Sequence, residues 1–490
     1  MSRVEIRQIG VVFRPNSRRV LVRPFIPSDE ERVRHIIDRA RALSEVEVEA
    51  RLASLRDLFE ARHLDLEACW RRHFGMIQRH LGEGSFSLER QLYIGALFSG
   101  EYALESAALF NPSIIAHPDQ GGVEPGELRF ILSLRATGEG HISSIQFRSG
   151  ILRADGSIHV DESSPFVVAP EIAENPTYRK IIFIHKLAEM GFENDWSRRV
   201  MSGLAENFTR SELENAICAT AGHEDSPEAG RTLECVRWLA QSNYQVHFHP
   251  SVELSQRVIF PVSPNESNGI EDARFVRFRE NDGTVCYYAT YTAYNGRAIL
   301  PQLIETMDFQ NFRVLTLNGR AVQNKGMALF PRRIGDRFAM ISRQDDENLH
   351  LMFSDNLHFW NDPQLLKTPA QCWEAVKIGN CGSPIETPEG WLVITHGVGP
   401  MRRYCIGALL LDLDDPSRVI GSLSAPLLEP KDEGREGYVP NVVYSCGSMT
   451  HRGWLILPYA LSDTTSTIAT IDLSSLLGEL SGQSVKIPPP

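Results

Sequence analysis

Nine polar side chains stand at the ends of strand-like runs: Asn111, Arg135, Glu271, Asp272, Arg274, Lys325, Arg343, His396 and Asp463. A chain that sets so many polar groups in otherwise apolar runs must hydrate, pair or use each of them. Carboxyl groups can carry protons, guanidinium and ammonium groups can hold an anion, and amides can grip hydroxyls. A funnel crowded with both signs suits a hydroxyl-rich or anionic small molecule. The His and carboxylate residues fall into no recognised metal-ligand spacing, so no metal is expected. No GxGxxG or P-loop is present to cradle a nucleotide.

The elements that must bring these residues together repeat along the chain. Five times a Gly-containing turn is followed by an apolar, β-favouring run that ends in a polar side chain. The runs are GELRFILSLR from Gly126, GTVCYYATYTAY from Gly283, GDRFAMISR from Gly335, GWLVITH from Gly390 and GWLILPYALSD from Gly453. A shorter strand-like segment precedes each, with polar groups near its start: NPSII from Asn111, EDARFV from Glu271, NKGMALF from Asn324, GSPIE from Gly382 and PNVVYS from Pro440. Later units lie roughly 50 to 65 residues apart, near the length of a four-stranded propeller blade. The expected fold is mainly β, a five-bladed β-propeller over residues 108–480 whose innermost strands converge on one funnel. A β-sandwich is the alternative, but it explains less well why every repeat carries a polar residue at one strand end.

Two regions depart from the repeat. Residues 1–107 are expected to form a helical extension. Ser28 and Glu31 fit a capping box, and Val33, Ile36, Ile37, Ala40 and Leu43 follow at helical spacing. Leu52, Leu55, Leu58 and Phe59 continue the pattern among charges that read as a solvated face. A second helical stretch, Asn194 to Ser242, carries a Thr209–Glu212 capping box and one apolar face of Leu233, Val236 and Leu239. It marks an insertion at about 170–248, in or after the first blade.

Composition narrows the function classes. The 490 residues include 50 Lys plus Arg and 62 Asp plus Glu, a net charge of −12, which argues against a nucleic-acid or anionic-membrane binder. No apolar run approaches the roughly 18 residues that span a bilayer, and the N-terminus lacks a secretory h-region. Eight scattered cysteines with no CxxC pair suggest reduced thiols and a cytoplasmic protein.

SNGIEDARFVRF (Ser267 to Phe278) resembles the GxEDPR signature of glycoside hydrolase family 130, the β-mannoside phosphorylases and mannosidases. The likeness continues through YTAYNGR, NKGMALFP, FSDNLHFW, WEAVKIGNCGSPIETPEGWLVITHGV, YCIGALLLDLDDPSRVIG and VPNVVYSCG, in order from Ala108 to Leu477 outside the insertion. The resemblance implies a five-bladed propeller and inversion at the anomeric carbon. It puts the general acid on Asp272, which protonates the departing glycosidic oxygen through a sugar hydroxyl. Lys325, Arg343 and His396 then hold phosphate, while Asn111, Arg135, Glu271, Arg274, Tyr404 and Asp463 contribute to sugar binding or to tuning the acid. Strand alternation, however, turns Glu271 to the face opposite Asp272.

An inverting hydrolase needs a second carboxylate to activate water, whereas a phosphorylase needs cations for its nucleophile. The retained cations favour phosphorolysis of β-1,2- or β-1,4-linked manno-oligosaccharides, giving α-mannose 1-phosphate with phosphate as co-substrate and no cofactor. The alternatives are a β-mannosidase on the same scaffold and a non-catalytic glycan-binding propeller. Plainer roles also exist: Lys325 as a turn residue, Arg343 paired with Asp345 or Asp346, His396 as a core histidine and Asp463 as a turn former. Tyr294 and Tyr438 are either sugar-stacking or core residues. Two positions depart from the family pattern: Ala273, where Pro is common, and Gly326, where Asp often follows the basic residue. The expected partners are an oligosaccharide and phosphate, with no nucleic acid or membrane; homo-oligomerisation is left open.

Overall fold

A computed structural model describes residues 4–82, 84–221, 226–297, 299–431 and 435–482. The protein is mainly β, and the described residues form five antiparallel sheets of four or more strands that follow one another along the chain, beside two two-stranded ribbons. Ala108–Ala116, Leu128–Thr137 and Ser143–Leu152 head the first sheet, which Val258–Ile259 extends after the insertion. The second runs from Ile270–Arg279 through Val285–Tyr294 and Ile299–Thr306 to Asn311–Thr316, with Tyr244–His247 added at its outer edge. The third comprises Ala328–Leu329, Phe338–Ser342, Leu349–Ser354 and Pro363–Lys367. The fourth comprises Lys377–Asn380, Gly390–Gly399, Arg403–Leu411 and Val419–Ser422. Val443–Tyr444, Trp454–Leu461 and Thr465–Asp472 form most of the fifth.

Hydrophobic clusters fill the gaps between consecutive sheets. Ile131, Phe147, Phe275 and Ala289 join the first to the second, Phe278, Leu303 and Met340 the second to the third, and Ile341, Leu351 and Val393 the third to the fourth. Ile394 and Ile406 meet Leu457 and Ala469, and Leu109, Phe130 and Leu132 meet Ile456 and Ile468, so the fifth sheet packs on the first. Strands covered on both faces read as the near-continuous apolar runs seen in the sequence.

The front of the chain corrects one expectation. Ile6–Phe13, inside the span read as helical, is a strand that pairs with Thr465–Asp472 and completes the fifth sheet. The outer edge of that sheet otherwise presents unpaired backbone groups, which a strand satisfies and a helix does not. Helices Glu30–Arg41, Glu45–Phe59, Leu66–Met76 and Leu88–Leu97 follow. The first is capped by Asp29 rather than Ser28, since Asp29 accepts from the amides of Glu31 and Arg32. Leu58 is 66% exposed while Leu52 is buried, because six residues at 100° each carry it away from that face. A buried Arg19–Glu105–Arg148 cluster ties this region to the first sheet at 2.9 and 2.8 Å.

The insertion holds helices Lys180–Glu189, Asp195–Ser202, Arg210–Ala221 and Pro227–Ser242 around its own apolar cluster, with Leu233, Val236 and Leu239 buried as expected. The Thr209–Glu212 capping box is formed, the Glu212 carboxylate accepting from the Thr209 amide at 2.7 Å. No helix among the described residues is long and apolar enough to cross a membrane.

Candidate active site

Eight of the ten expected site residues line one cleft of about 360 Å³: Asn111, Arg135, Asp272, Lys325, Arg343, His396, Tyr404 and Asp463. They come from all five sheets. Glu271 and Arg274 are the exceptions and form the wall behind it.

Backbone irregularity aims several of these groups. The pairing of Ile270–Arg279 with Val285–Tyr294 slips between Glu271 and Arg274, and Asp272 adopts a left-handed φ of 55°. Asn111 sits at a matching slip in the first sheet with φ 48°, and Asp463 has φ 48°. Such conformations cost about 1 kcal/mol or more each and persist where the surrounding structure enforces them. The bulge overturns the expectation that Glu271 faces away from Asp272. The extra residue breaks the two-residue period, so both consecutive carboxylates reach the same set of cations.

One half of the cleft is organised around Asp272. Its Oδ1 accepts from Asn111 Nδ2, and Arg135 Nη1 lies 3.4 Å away. Arg135 Nη2 also binds Glu271 at 2.8 Å, while Lys325 Nζ contacts the other Glu271 oxygen. Arg274, only 2% exposed, donates to the Asp272 carbonyl at 3.1 Å and to the Tyr444 hydroxyl at 2.7 Å. It therefore holds the backbone of the bulge and does not face the cleft. Burial pushes the Asp272 carboxyl up. Arg135, Arg274 and Lys325, with the Asn111 hydrogen bond, outweigh that push and hold it below the ordinary carboxylate range.

Asp463 behaves oppositely. Burial and then the Asp272 charge push it up to about 7, against the pull of Arg135 and Arg402. Two carboxyl groups in one cleft are thus driven apart in acidity, a common arrangement where proton transfer occurs. A stability consequence follows. Folded Asp463 holds its proton more tightly than the unfolded chain does, so its contribution is full below about pH 4 and is lost as pH rises towards 7. A tenfold change in proton affinity is worth about 1.4 kcal/mol, and with solvent screening the loss levels off near ~3 kcal/mol. Asp463→Asn should therefore raise unfolding free energy at pH 8, raise it less at pH 5, and weaken sugar binding. Denaturant titrations at the two pH values check this; an equal gain at both would remove the titration from the account.

The other half carries the cations. Arg343 Nη1 lies 3.1 Å from His396 Nε2 and its Nη2 3.2 Å from Asp346, while Lys377 Nζ lies 3.2 Å from both Asp346 oxygens. A guanidinium only donates, so His396 Nε2 accepts here. Burial, then Arg343, Arg274 and Lys377, hold the imidazole well below its ordinary range and hence neutral. Its ring stacks on Tyr404 at 5.8 Å, and Gly379 leaves room that a Cβ would fill. The expected alternative for Arg343 is half realised: it pairs with Asp346, whereas Asp345 accepts from the Glu347 and Asn348 amides. Gly326, where the family often has Asp, has a φ of 92° that glycine takes without strain.

Sequence reasoning missed Lys377, Asp346, Asn324, Arg402 and Tyr444, all of which line the cleft. Lys377 lies upstream of GSPIE, where the sequence pattern opens the fourth repeat, because the first strand of that sheet is Lys377–Asn380. The same rule, a polar group at the start of the first strand, finds it once the boundary moves. Arg402 and Asp346 have left-handed φ of 55° and 61° in turns, with no strand pattern to flag them. Neither Tyr294 nor Tyr438 lines the cleft; Tyr438 is exposed and hydrogen-bonds His141 at 2.9 Å. Asn111 Oδ1, Arg135 Nε and Arg343 Nε are buried without a hydrogen-bond partner among the described residues, so polar capacity remains for a ligand.

Residues 239–480 match a family model described as beta-1,4-mannooligosaccharide phosphorylase. The chain is 34% identical over 290 residues to a 1,2-beta-oligomannan phosphorylase of Thermoanaerobacter sp. (strain X514), covering 58% of this chain and 94% of that protein. It is 28% identical over 229 residues to a beta-1,2-mannobiose phosphorylase of Listeria innocua, covering 45% of this chain and 63% of that protein. A solved structure, the Listeria innocua beta-1,2-mannobiose phosphorylase with beta-1,2-mannobiose, is 20% identical with a TM-score of 0.46, over 78% of this chain and 94% of that one.

Proposed function

The chain belongs to glycoside hydrolase family 130, and we propose that it is an inverting β-mannoside phosphorylase. It cleaves β-1,2- or β-1,4-linked manno-oligosaccharides with phosphate and releases α-mannose 1-phosphate. The observation that carries this reading is the cation set facing Asp272. Lys325, Arg343 and Lys377 line the cleft that Asp272 enters, and Asp346, the carboxylate among them, is held by both Arg343 and Lys377. An inverting hydrolase needs a carboxylate free to take a proton from water. Asp346, gripped by two cations, is a poor base. Asp463, the cleft's other carboxyl, interacts with Asp272, Arg135 and Arg402 on the side of the acid rather than with Arg343 or Lys377, so the cations suit a phosphate dianion.

In this mechanism Asn111, Arg135, Tyr404 and Asp463 hold the sugar at the non-reducing end. Phosphate rests on Lys325 and Arg343, with His396 orienting the guanidinium and Lys377 adding a third charge. Protonated Asp272 gives its proton towards the glycosidic oxygen through a sugar hydroxyl. The C1–O bond breaks, a phosphate oxygen bonds to C1 from the opposite face, and the stereochemistry inverts. The proton that hydrogenphosphate loses on becoming an ester restores Asp272, so no proton is gained or lost overall. In the resting enzyme the cations keep Asp272 ionised; an arriving phosphate offsets them and raises its proton affinity. The reaction needs no metal or organic cofactor.

Five sheets, each packed on the next and the fifth on the first, support a closed five-bladed propeller with the cleft at its axis. On this reading residues 108–480 are the catalytic propeller, Ile6–Phe13 its closing strand, and the helices before and within it are additions. Eight free thiols and a reaction that consumes phosphate suit a cytoplasmic setting.

The test is incubation of β-1,2- and β-1,4-mannobiose with and without phosphate, followed by phosphorus NMR. Phosphate-dependent loss of one disaccharide with an α-anomeric sugar phosphate is expected. Free mannose released without phosphate would assign a hydrolase, and binding with no cleavage a glycan-binding protein.

A further inference from the structure

A second polar groove lies outside the funnel, between the second and third sheets. It has a volume of about 380 Å³ and brings together Arg179, Arg313, Arg333 and His358, with Glu305 and Asp355 on its rim. Arg179 belongs to the insertion, outside the span matched by the family model, whereas the other three basic residues lie inside it. We propose that this groove is a binding site for a small phosphate monoester of a polyhydroxylated molecule, such as a sugar phosphate. The site does not depend on the phosphorylase reading of the funnel.

Four observations carry the proposal. First, His358 is only 6% exposed, lines the groove, and its Nδ1 is buried without a hydrogen-bond partner among the described residues. Arg313 Nε, a donor, is a second buried atom of the same groove without a partner among the described residues. Buried polar atoms are rarely left unsatisfied, because each costs desolvation with nothing in return.

Second, the cations retain donors. Arg313 reaches Glu305 at 3.5 Å through one nitrogen, and Arg333 reaches Glu280 at 3.0 Å through Nε and the Asp336 carbonyl at 3.0 Å through Nη1, which leaves its Nη2. A guanidinium has five N–H donors, so each keeps part of its fork for an anion. Third, the carboxylates and Asn356 on the rim can accept from hydroxyl groups but repel a bare anion. A molecule with both a phosphate and hydroxyls satisfies both signs.

Fourth, the loop that carries His358 is set in place before any ligand arrives. The His358 amide donates to Asn356 Oδ1 at 3.0 Å, its carbonyl accepts from the Asn318 amide at 2.9 Å, and His185 of the insertion packs against Phe359 with ring centroids 4.4 Å apart. Burial, then Arg179 and Arg313, lower the His358 pKa to about 4, so at neutral pH the ring offers one N–H and no competing charge.

The test titrates α-mannose 1-phosphate, mannose 6-phosphate and inorganic phosphate into the full-length protein by calorimetry. Two equivalents of a sugar phosphate are expected on the unaltered protein; in Lys325→Ala, whose alteration lies in the funnel, one should keep its affinity while the other weakens. Arg313→Gln should weaken the groove equivalent at least tenfold and leave turnover unchanged; Arg313→Lys, which keeps the charge but loses the fork, should fall between. The absence of any equivalent that survives Lys325→Ala and is weakened by Arg313→Gln overturns the site, whereas its presence without a second equivalent upholds the site and speaks only against the reading of the funnel. Equal affinity for inorganic phosphate overturns its assignment to an ester. Should the Arg313 variants fold poorly, the His358 imidazole NMR signal of the unaltered protein decides. It should shift on saturation with the sugar phosphate, and an unmoved signal rejects the groove.

Discussion

Asp272→Asn should lower phosphorolysis of an unactivated mannobiose by about a thousandfold, the scale of a lost general acid. The fold should survive. Arg135 keeps its 2.8 Å contact with Glu271, and Arg274 keeps Tyr444 and the backbone carbonyl of residue 272. Neither cation is left buried without a partner, the condition that makes removal of a buried charge costly. An aryl β-mannoside with an acidic phenol separates the acid from mere positioning. Its leaving group departs without a proton, so Asp272→Asn should lose far less activity on it than on mannobiose. Equal losses on both substrates would reassign Asp272 to sugar binding. Near-normal activity on mannobiose would take it out of the chemistry altogether.

The sheets and most of the cleft were legible because the repeat is carried by apolar runs and turn glycines, signals that burial and backbone geometry write directly into sequence. Asp272, Lys325 and Arg343 were found on that frame since each stands where a strand begins or ends. What escaped depended on departures from regular geometry. Glu271 was assigned to the wrong face because alternation holds only until a bulge inserts a residue, and a left-handed Asp leaves no periodic trace. Arg402 and Asp346 sit in turns, where side-chain direction follows from local φ and ψ rather than from spacing. Ile6–Phe13 was hidden for a different reason. Its partner Thr465–Asp472 lies at the far end of the chain, and no local pattern announces a pairing across so great a separation. His396 was recognised as a site residue, but its hydrogen bond to Arg343 shows up only when two distant strands meet.

Lys325→Ala should raise the KM for phosphate by 10- to 100-fold, roughly the worth of a charge-assisted hydrogen bond, with a much smaller effect on sugar affinity. The reasoning rests on how the charges are shared. Lys325 contacts Glu271, and Glu271 keeps Arg135 when the lysine is gone, so the sugar-binding half of the cleft retains its pairing. The phosphate half retains Arg343 and Lys377 and should bind more weakly without being abolished. A second readout follows from the same electrostatics. Lys325 is one of three cations that hold the Asp272 carboxyl down, so its removal should shift the limb of the pH–rate profile that reports this group towards higher pH. A structural lysine would change stability and leave both the phosphate dependence and the pH profile where they were. An unchanged KM for phosphate in a folded Lys325→Ala protein would remove this residue from the anion clamp, and with it the main argument for phosphate over water as the nucleophile.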